Sequence, residues 1–174
     1  DGDGDGTTFT PLVSLDVALD QGETNLDLVA SMIARRDVDD MAFPSRAPIP
    51  GMTISSGFGQ RKDPFTGQLA RHAGLDYPAA YGTTILASAG GRVRRAGHYG
   101  AFGKTVEIDH GGGLVTRYGH ASRILVRVGD ILLPGQPIAT VGSTGRSTGP
   151  HLHFEILRDG MQVPPGLYLA DDHS

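Results

Sequence analysis

From residue 52 onward, apolar residues fall in short runs that alternate with polar ones and are cut by glycine or proline. These runs are TTILASAG (83–90), GRVRRAGH (91–98), KTVEIDH (104–110), LVTRYGH (114–120), ILVRVGD (124–130), PIATVG (137–142) and HLHFEIL (151–157). Period-two alternation over so few residues marks a half-buried strand, and strands at this spacing predict antiparallel sheets folded into a sandwich or barrel. The clearest hairpin is VEIDHGGGLVTRYGH, in which Gly111, Gly112 and Gly113 supply the turn. Upstream, the period changes. In ETNLDLVASMIARRDV (23–38), Leu26, Val29 and Ile33 share one helical stripe with Leu28 and Met32 beside it, and Thr24 or Asn25 stands where an N-cap would. That pattern predicts one amphipathic helix, docked on the main domain or on sequence further upstream.

Composition narrows the class. A chain of 174 residues with 39% hydrophobic residues holds one principal domain and a short extra segment. Its 26 glycines favour turns and close backbone approaches over long helices, so the expected class is mainly β. No stretch approaches the roughly 20 apolar residues of a membrane helix, and neither a membrane span nor a nucleic-acid partner is expected. Cysteine is absent, which excludes disulfides and thiolate chemistry and leaves His, Asp and Glu as the only strong metal ligands. A chain beginning with Asp1 reads as a processed piece whose export signal would be out of view.

Charge divides the chain. Residues 1–45 carry ten acids and two bases, a balance of −8, and the remainder nine acids and thirteen Lys or Arg, a balance of +4. With Pro44, Pro48 and Pro50, this predicts an acidic, partly disordered N-terminal segment (1–45) with one helix, a main domain over 46–170 and a tail over 171–174. The acidic segment could lie across the basic domain and restrict it, but screening of exposed charge favours a linker or a dock instead. The opening DGDGDG begins like a calcium loop, yet Leu12 stands where that loop needs a bidentate Glu, so a solvated acidic end is the better reading. Residues 126–142, VRVGDILLPGQPIATVG, resemble the barrel-sandwich texture of biotinyl and lipoyl carrier domains. The only lysines, Lys62 and Lys104, lie in no matching turn, so this bears on fold and not on carrier function.

Candidate chemistry concentrates in HLHFEI. On a strand, His151, His153 and Glu155 share one face while Leu152, Phe154 and Ile156 share the other, so the apolar row enters the core and the polar row lines a surface or cleft. RHAGLDYPA adds His72 and Asp76, whose separation suits one face of a helix or of a strand, with Gly74 and Pro78 disfavouring the helix. Together with His153 they would give two imidazoles and one carboxylate, a set suited to Zn2+ with the fourth position open for water. RYGH contributes His120. If His72, Asp76 and His153 bind the metal, His120 and His151 remain close by as general base and acid. No HExxH sequence is present.

His72-x-x-x-Asp76, His120 in RYGH and His151-Leu-His153 in GSTGRSTGPHLHFE together resemble the lysostaphin-like (LytM-type) zinc endopeptidases, which cut peptide cross-links in bacterial peptidoglycan. The resemblance covers residues 55–156. It implies a barrel-sandwich peptidase domain in which His72, Asp76 and His153 bind zinc and His120 and His151 are catalytic, with neither singled out as the base. It implies peptidoglycan as partner and an exported location, in the periplasm or cell envelope. A non-catalytic relative that activates cell-wall amidases would have lost ligands, and none is lost here. Between D-alanyl–diaminopimelate and pentaglycine cross-links, the arginines of GRVRRAG and Arg146 favour the first, as partners for substrate carboxylates. Glu155 could orient a ligand or be a plain surface glutamate. His110 and His173 read as turn and tail residues, and His98, Tyr99 and Phe102 as one wall of a substrate groove.

Overall fold

The computed structural model of the protein describes residues 12–64 and 66–170. The DGDGDG stretch, His173 and the tail lie outside them. The chain divides between residues 40 and 41 into two units, each described by itself.

In the first unit one helix, α1, begins; it spans Leu12–Ala42 and is longer at both ends than the 23–38 pattern. A single interior glycine such as Gly22 costs only about 1 kcal/mol relative to alanine and does not end a helix. The helix stops just before Phe43, where the following Pro44 disfavours helical backbone. Leu26, Val29 and Ile33 are exposed.

In the second unit every strand pairing among the described residues is antiparallel, with 3-10 turns at Gly100–Phe102 and Pro165–Leu167. β1 (Gly59–Lys62) and β2 (Leu69–His72) form a separate hairpin. The larger sheet contains β3 (Leu75–Pro78), β4 (Thr84–Leu86), β5 (Gly91–His98), β6 (Lys104–Gly111), β7 (Leu114–Ile124), β8 (Ile131–Leu132), β9 (Pro137–Val141), β10 (His151–Arg158) and β11 (Met161–Val163). Its main path is β11-β10-β7-β6-β5-β8, with β3 joined to β10 and β9 joined to both β7 and β4. Mainly β architecture with a preceding helix is therefore what the chain adopts. The predicted run ILVRVGD is an exception. Only Ile124 belongs to a strand, and the chain then crosses β5, with Gly129 N–H donating to Val93 O and Val93 N–H to Asp130 O. Leu125 and Val128 point outward and only Val126 is buried, so the run's apolar content never forms a buried face.

One face of the large sheet makes the core: Ile85, Val93, Ile108, Tyr118, Ile138, Leu152, Phe154 and Ile156 are essentially inaccessible. Burying each such side chain contributes about 1.5–3 kcal/mol, and a one-residue slip of β10 would exchange this face for His151, His153 and Glu155, so the register is firmly set. β7 is the pivot. Its first half pairs with β10 as far as Gly119 opposite His153, and its last part pairs with β9 from Ala121. His120 lies at the changeover with φ 61°, a left-handed conformation unusual for a residue with a side chain.

Candidate metal centre

Three elements converge on one point. His72 ends β2, Asp76 sits on β3, and β3 pairs with β10 so that Asp76 lies directly opposite His153. His72 and Asp76 are thus on neither one helix nor one continuous strand; the chain breaks at Ala73–Gly74 and re-enters as a new strand. Gly74 permits the junction, because a Cβ there would stand 2.3 Å from the Phe154 carbonyl oxygen.

The three side chains are buried, with exposures of 6%, 7% and 7%. His72 Nε2 lies 3.1 Å from Asp76 Oδ1 and 3.2 Å from His153 Nδ1, and His153 Nδ1 lies 2.8 Å from Asp76 Oδ1. Their outer atoms are already committed. His72 Nδ1–H donates to the Gly57 carbonyl at 2.7 Å, His153 Nε2–H to Glu155 Oε1 at 3.1 Å, and Arg61 donates to Asp76 Oδ2 at 3.1 Å. With neutral rings, three lone pairs therefore face one another with no hydrogen between them, an arrangement a cation relieves. Ligands bound tetrahedrally at ~2.0–2.1 Å stand roughly 3.3 Å apart, close to the separations seen here. These residues fit a divalent metal, and among the described residues they form the one group of His, Asp and Glu with that geometry.

Electrostatics agree. Burial alone would raise the Asp76 pKa, but hydrogen bonds and charge from His153 and His72 hold it well below the usual carboxylate range. Burial alone would lower the His153 pKa, whereas Asp76 and Glu155 raise it. The negative charge that favours a proton on His153 favours a metal cation by the same field, and the two compete.

His120 and His151 stand beside this cluster. Their rings are 4.7 Å apart, and His120 lies 5.9 Å from the His153 ring. Each has Nδ1–H committed to a backbone carbonyl, His120 to Thr144 at 2.8 Å and His151 to Gly149 at 2.8 Å, which leaves Nε2 as the basic nitrogen of the neutral ring. His151 Nε2 is 3.8 Å from Asp76 Oδ1. Burial, opposed by the Thr144 bond and reinforced by the neighbouring His151 and His153, pushes the His120 pKa down to about 4. His120 is therefore a neutral imidazole at physiological pH. All five histidine and aspartate positions predicted from sequence line one groove of about 620 Å3, with Arg61, Phe102 and Arg146 among the other lining residues.

Several expectations change. Glu155 is not a surface residue, being 1% exposed. His110 is buried rather than in a solvated turn: Nδ1 is 2.6 Å from the Gly90 carbonyl oxygen and Nε2 2.8 Å from Thr116 Oγ1. Of the proposed groove wall, Phe102 lines the groove and Tyr99 stacks on it at 5.8 Å, while His98 is exposed at the end of β5. Arg94 and Arg95 pair with Glu107 instead of lining the groove, whereas Arg146 does line it and binds both oxygens of Asp63. Gly57, Thr144 and Gly149 act through backbone carbonyls, which any residue carries, so nothing in the sequence marked them.

Residues 70–165 match the family described as Peptidase family M23. The chain is 41% identical over 121 residues to "Peptidoglycan DD-endopeptidase ShyC" of Vibrio cholerae, an alignment covering 69% of this chain and 28% of that protein. The chain thus spans about a quarter of the length of the curated relatives it matches. A structure described as a zinc containing peptidase from Vibrio cholerae superposes with TM-score 0.65 and 38% identity, covering 70% of this chain and 38% of the other. The catalytic domain of lysostaphin from Staphylococcus simulans superposes with TM-score 0.62 and 29% identity, covering 67% of this chain and 91% of that domain.

Proposed function

The chain belongs to peptidase family M23, a family of metallopeptidases, and from that premise we propose that it hydrolyses D-alanyl–diaminopimelate cross-links in bacterial peptidoglycan. We assign His72 Nε2, Asp76 Oδ1 and His153 Nδ1 as zinc ligands and His120 and His151 as the catalytic pair. The observation that carries the reading is the convergence of His72 Nε2, Asp76 Oδ1 and His153 Nδ1 at 2.8–3.2 Å from one another, beside two imidazoles whose Nδ1 atoms lie 2.8 Å from carbonyl oxygens.

Bound there, zinc supplies a Lewis acid that lowers the pKa of water. The chain's own residues do the rest. His151 accepts the water proton at Nε2 while the Gly149 carbonyl fixes its ring, and then returns that proton to the leaving amine. His120, held by Thr144 and by its strained backbone, stabilises charge developing on the scissile carbonyl oxygen. Phe102 packs 5.6 Å from the His153 ring and limits water on that side. Arg61 and Arg146 line the groove, where they are engaged by Asp76 and Asp63 of the chain itself, and add positive charge on the side a carboxylate-bearing stem would approach. The name of the Vibrio cholerae relative supports the DD bond over pentaglycine. An envelope or periplasmic location follows from such a substrate. Among the described residues, no helix is long and apolar enough to cross a membrane.

The test is zinc content of the purified protein together with digestion of defined muropeptides, one cross-linked directly and one through pentaglycine. One zinc per chain and cleavage of the direct cross-link are expected. Metal-free protein that releases nothing would defeat the enzyme reading, and cleavage confined to pentaglycine would defeat the choice of bond.

A further inference from the structure

Behind His153 the sheet carries a row of alternating charge. Arg95 on β5, Glu107 on β6, Arg117 on β7 and Glu155 on β10 are direct cross-strand partners, each opposite the next. Arg117 Nε donates to Glu107 Oε1 at 2.7 Å, and Arg117 Nη1 donates to Glu155 Oε2. A bulge between Val93 and Arg95 turns two consecutive arginines toward one carboxylate, so that Arg94 Nε at 3.0 Å and Arg95 Nε at 3.3 Å both reach Glu107 Oε2. Glu107 and Glu155 are 0% and 1% exposed and Arg117 is 7% exposed. Tyr99 and Phe102 roof the row, with the Arg117 guanidinium 4.8 Å from the Phe102 ring and that of Arg95 3.9 Å from Tyr99.

Buried ionic rows are costly to desolvate, and well-packed apolar residues often serve a fold at least as well. Folding alone is therefore a poor reason for this one. Its last member points to another. Glu155 uses Oε2 for Arg117 and Oε1 for His153 Nε2–H, so the row ends on a residue we read as a metal ligand.

We infer that Arg117 is a positioning residue for the metal centre: anchored by Glu107, it holds the Glu155 carboxylate where it keeps His153 protonated at Nε2, with Nδ1 turned toward His72 and Asp76. The inference rests on the proposed role of His153. Partners that fix a ligating imidazole in this way typically contribute about 10- to 100-fold in metal affinity.

The experiment uses the full chain and the metal alone. Zn2+ affinity is measured by competition with a chromophoric chelator, and ligand geometry by the visible absorption of Co2+-loaded protein. Arg117→Met is expected to weaken Zn2+ binding about 10- to 100-fold and to alter the Co2+ spectrum. Arg117→Lys, a single point charge without the guanidinium fork, should fall between it and the wild type. Ile156→Val, on the core face of the same strand, should lower thermal stability and move neither readout. If Arg117→Met does not fold, Arg117→Lys and Glu107→Gln carry the test. Folded Arg117 or Glu107 variants with wild-type affinity and an unchanged spectrum overturn the inference. A wild-type chain that takes up no metal overturns the ligand assignment itself, and the inference with it.

Discussion

Adding one methyl group at Gly74 is expected to open the proposed metal centre without touching any of its proposed ligands. A Cβ at this position would lie 2.3 Å from the Phe154 carbonyl oxygen, with Glu155 Cγ and the Phe154 carbonyl carbon each at 3.0 Å. Contacts of this kind are essentially never shorter than 3.0 Å, so the backbone at Gly74, next to β3, and the Phe154 carbonyl on β10 must part by at least 0.7 Å, the difference between 3.0 and 2.3 Å. The obstacle is backbone and cannot swing aside. Asp76 rides on β3 and His153 faces it on β10, their ligand atoms 2.8 Å apart. Metal sites tolerate deviations of about 0.2 Å, and misplacement by about 1 Å can cost about 100-fold in rate. Gly74→Ala should therefore weaken Zn2+ binding at least about 10-fold and reduce peptide cleavage about 100-fold. Overpacking adds a stability loss of about 1–3 kcal/mol, each kcal/mol lowering Tm by roughly 2–4 °C. Chelator competition, turnover on a muropeptide and a thermal melt measure the three effects. Gly97→Ala is the control, since a Cβ there meets nothing within 4 Å. A Gly74→Ala chain with wild-type zinc affinity would refute the claim that close approach of these strands sets the ligand spacing.

Other outcomes follow from the same geometry. His153→Ala should abolish metal binding and activity together, whereas His120→Ala should retain zinc and lose about 100- to 10,000-fold in turnover; full activity in His120→Ala would show that the catalytic pair is misassigned. Dialysis against a strong chelator should remove activity, and stoichiometric Zn2+ should restore it; activity that survives in verified metal-free protein would contradict the proposed mechanism. His110 gives a pH dependence remote from the site. Burial lowers its pKa from 6.5 despite the Gly90 carbonyl, so below about pH 6.5 the unfolded chain binds a proton that the native chain refuses, and stability is lost as pH falls through that range. His110→Gln should flatten that part of the Tm–pH curve between pH 7.5 and 5.5, and parallel curves for the two proteins would remove His110 as its source.

Much of this was legible in the chain. Period-two alternation located β5, β6, β7, β9 and β10, and the triple glycine located the β6–β7 turn, because strand faces and tight turns are local consequences of residue type. The composition excluded thiolate chemistry, residue type nominated His72, Asp76 and His153 as a zinc set, and the family resemblance added His120 and His151 as catalytic. Short strands such as β1, β3 and β11 gave no such signal, since three or four residues cannot establish a period, and β3 takes its partner β10 from far along the chain.

What the sequence by itself determined is which residues can hold a metal and that His151, His153 and Glu155 share one face of β10. Only the tertiary structure decided that this polar face lines a groove, that Asp76 stands opposite His153, and that Glu155 ends a cross-strand row that begins at half-exposed Arg95 and is buried from Glu107 onward. The physical reason is that side-chain alternation is written within a strand, whereas the partners across the ladder, Asp76 for His153 and Arg117 for Glu155, come from residues far away in the chain.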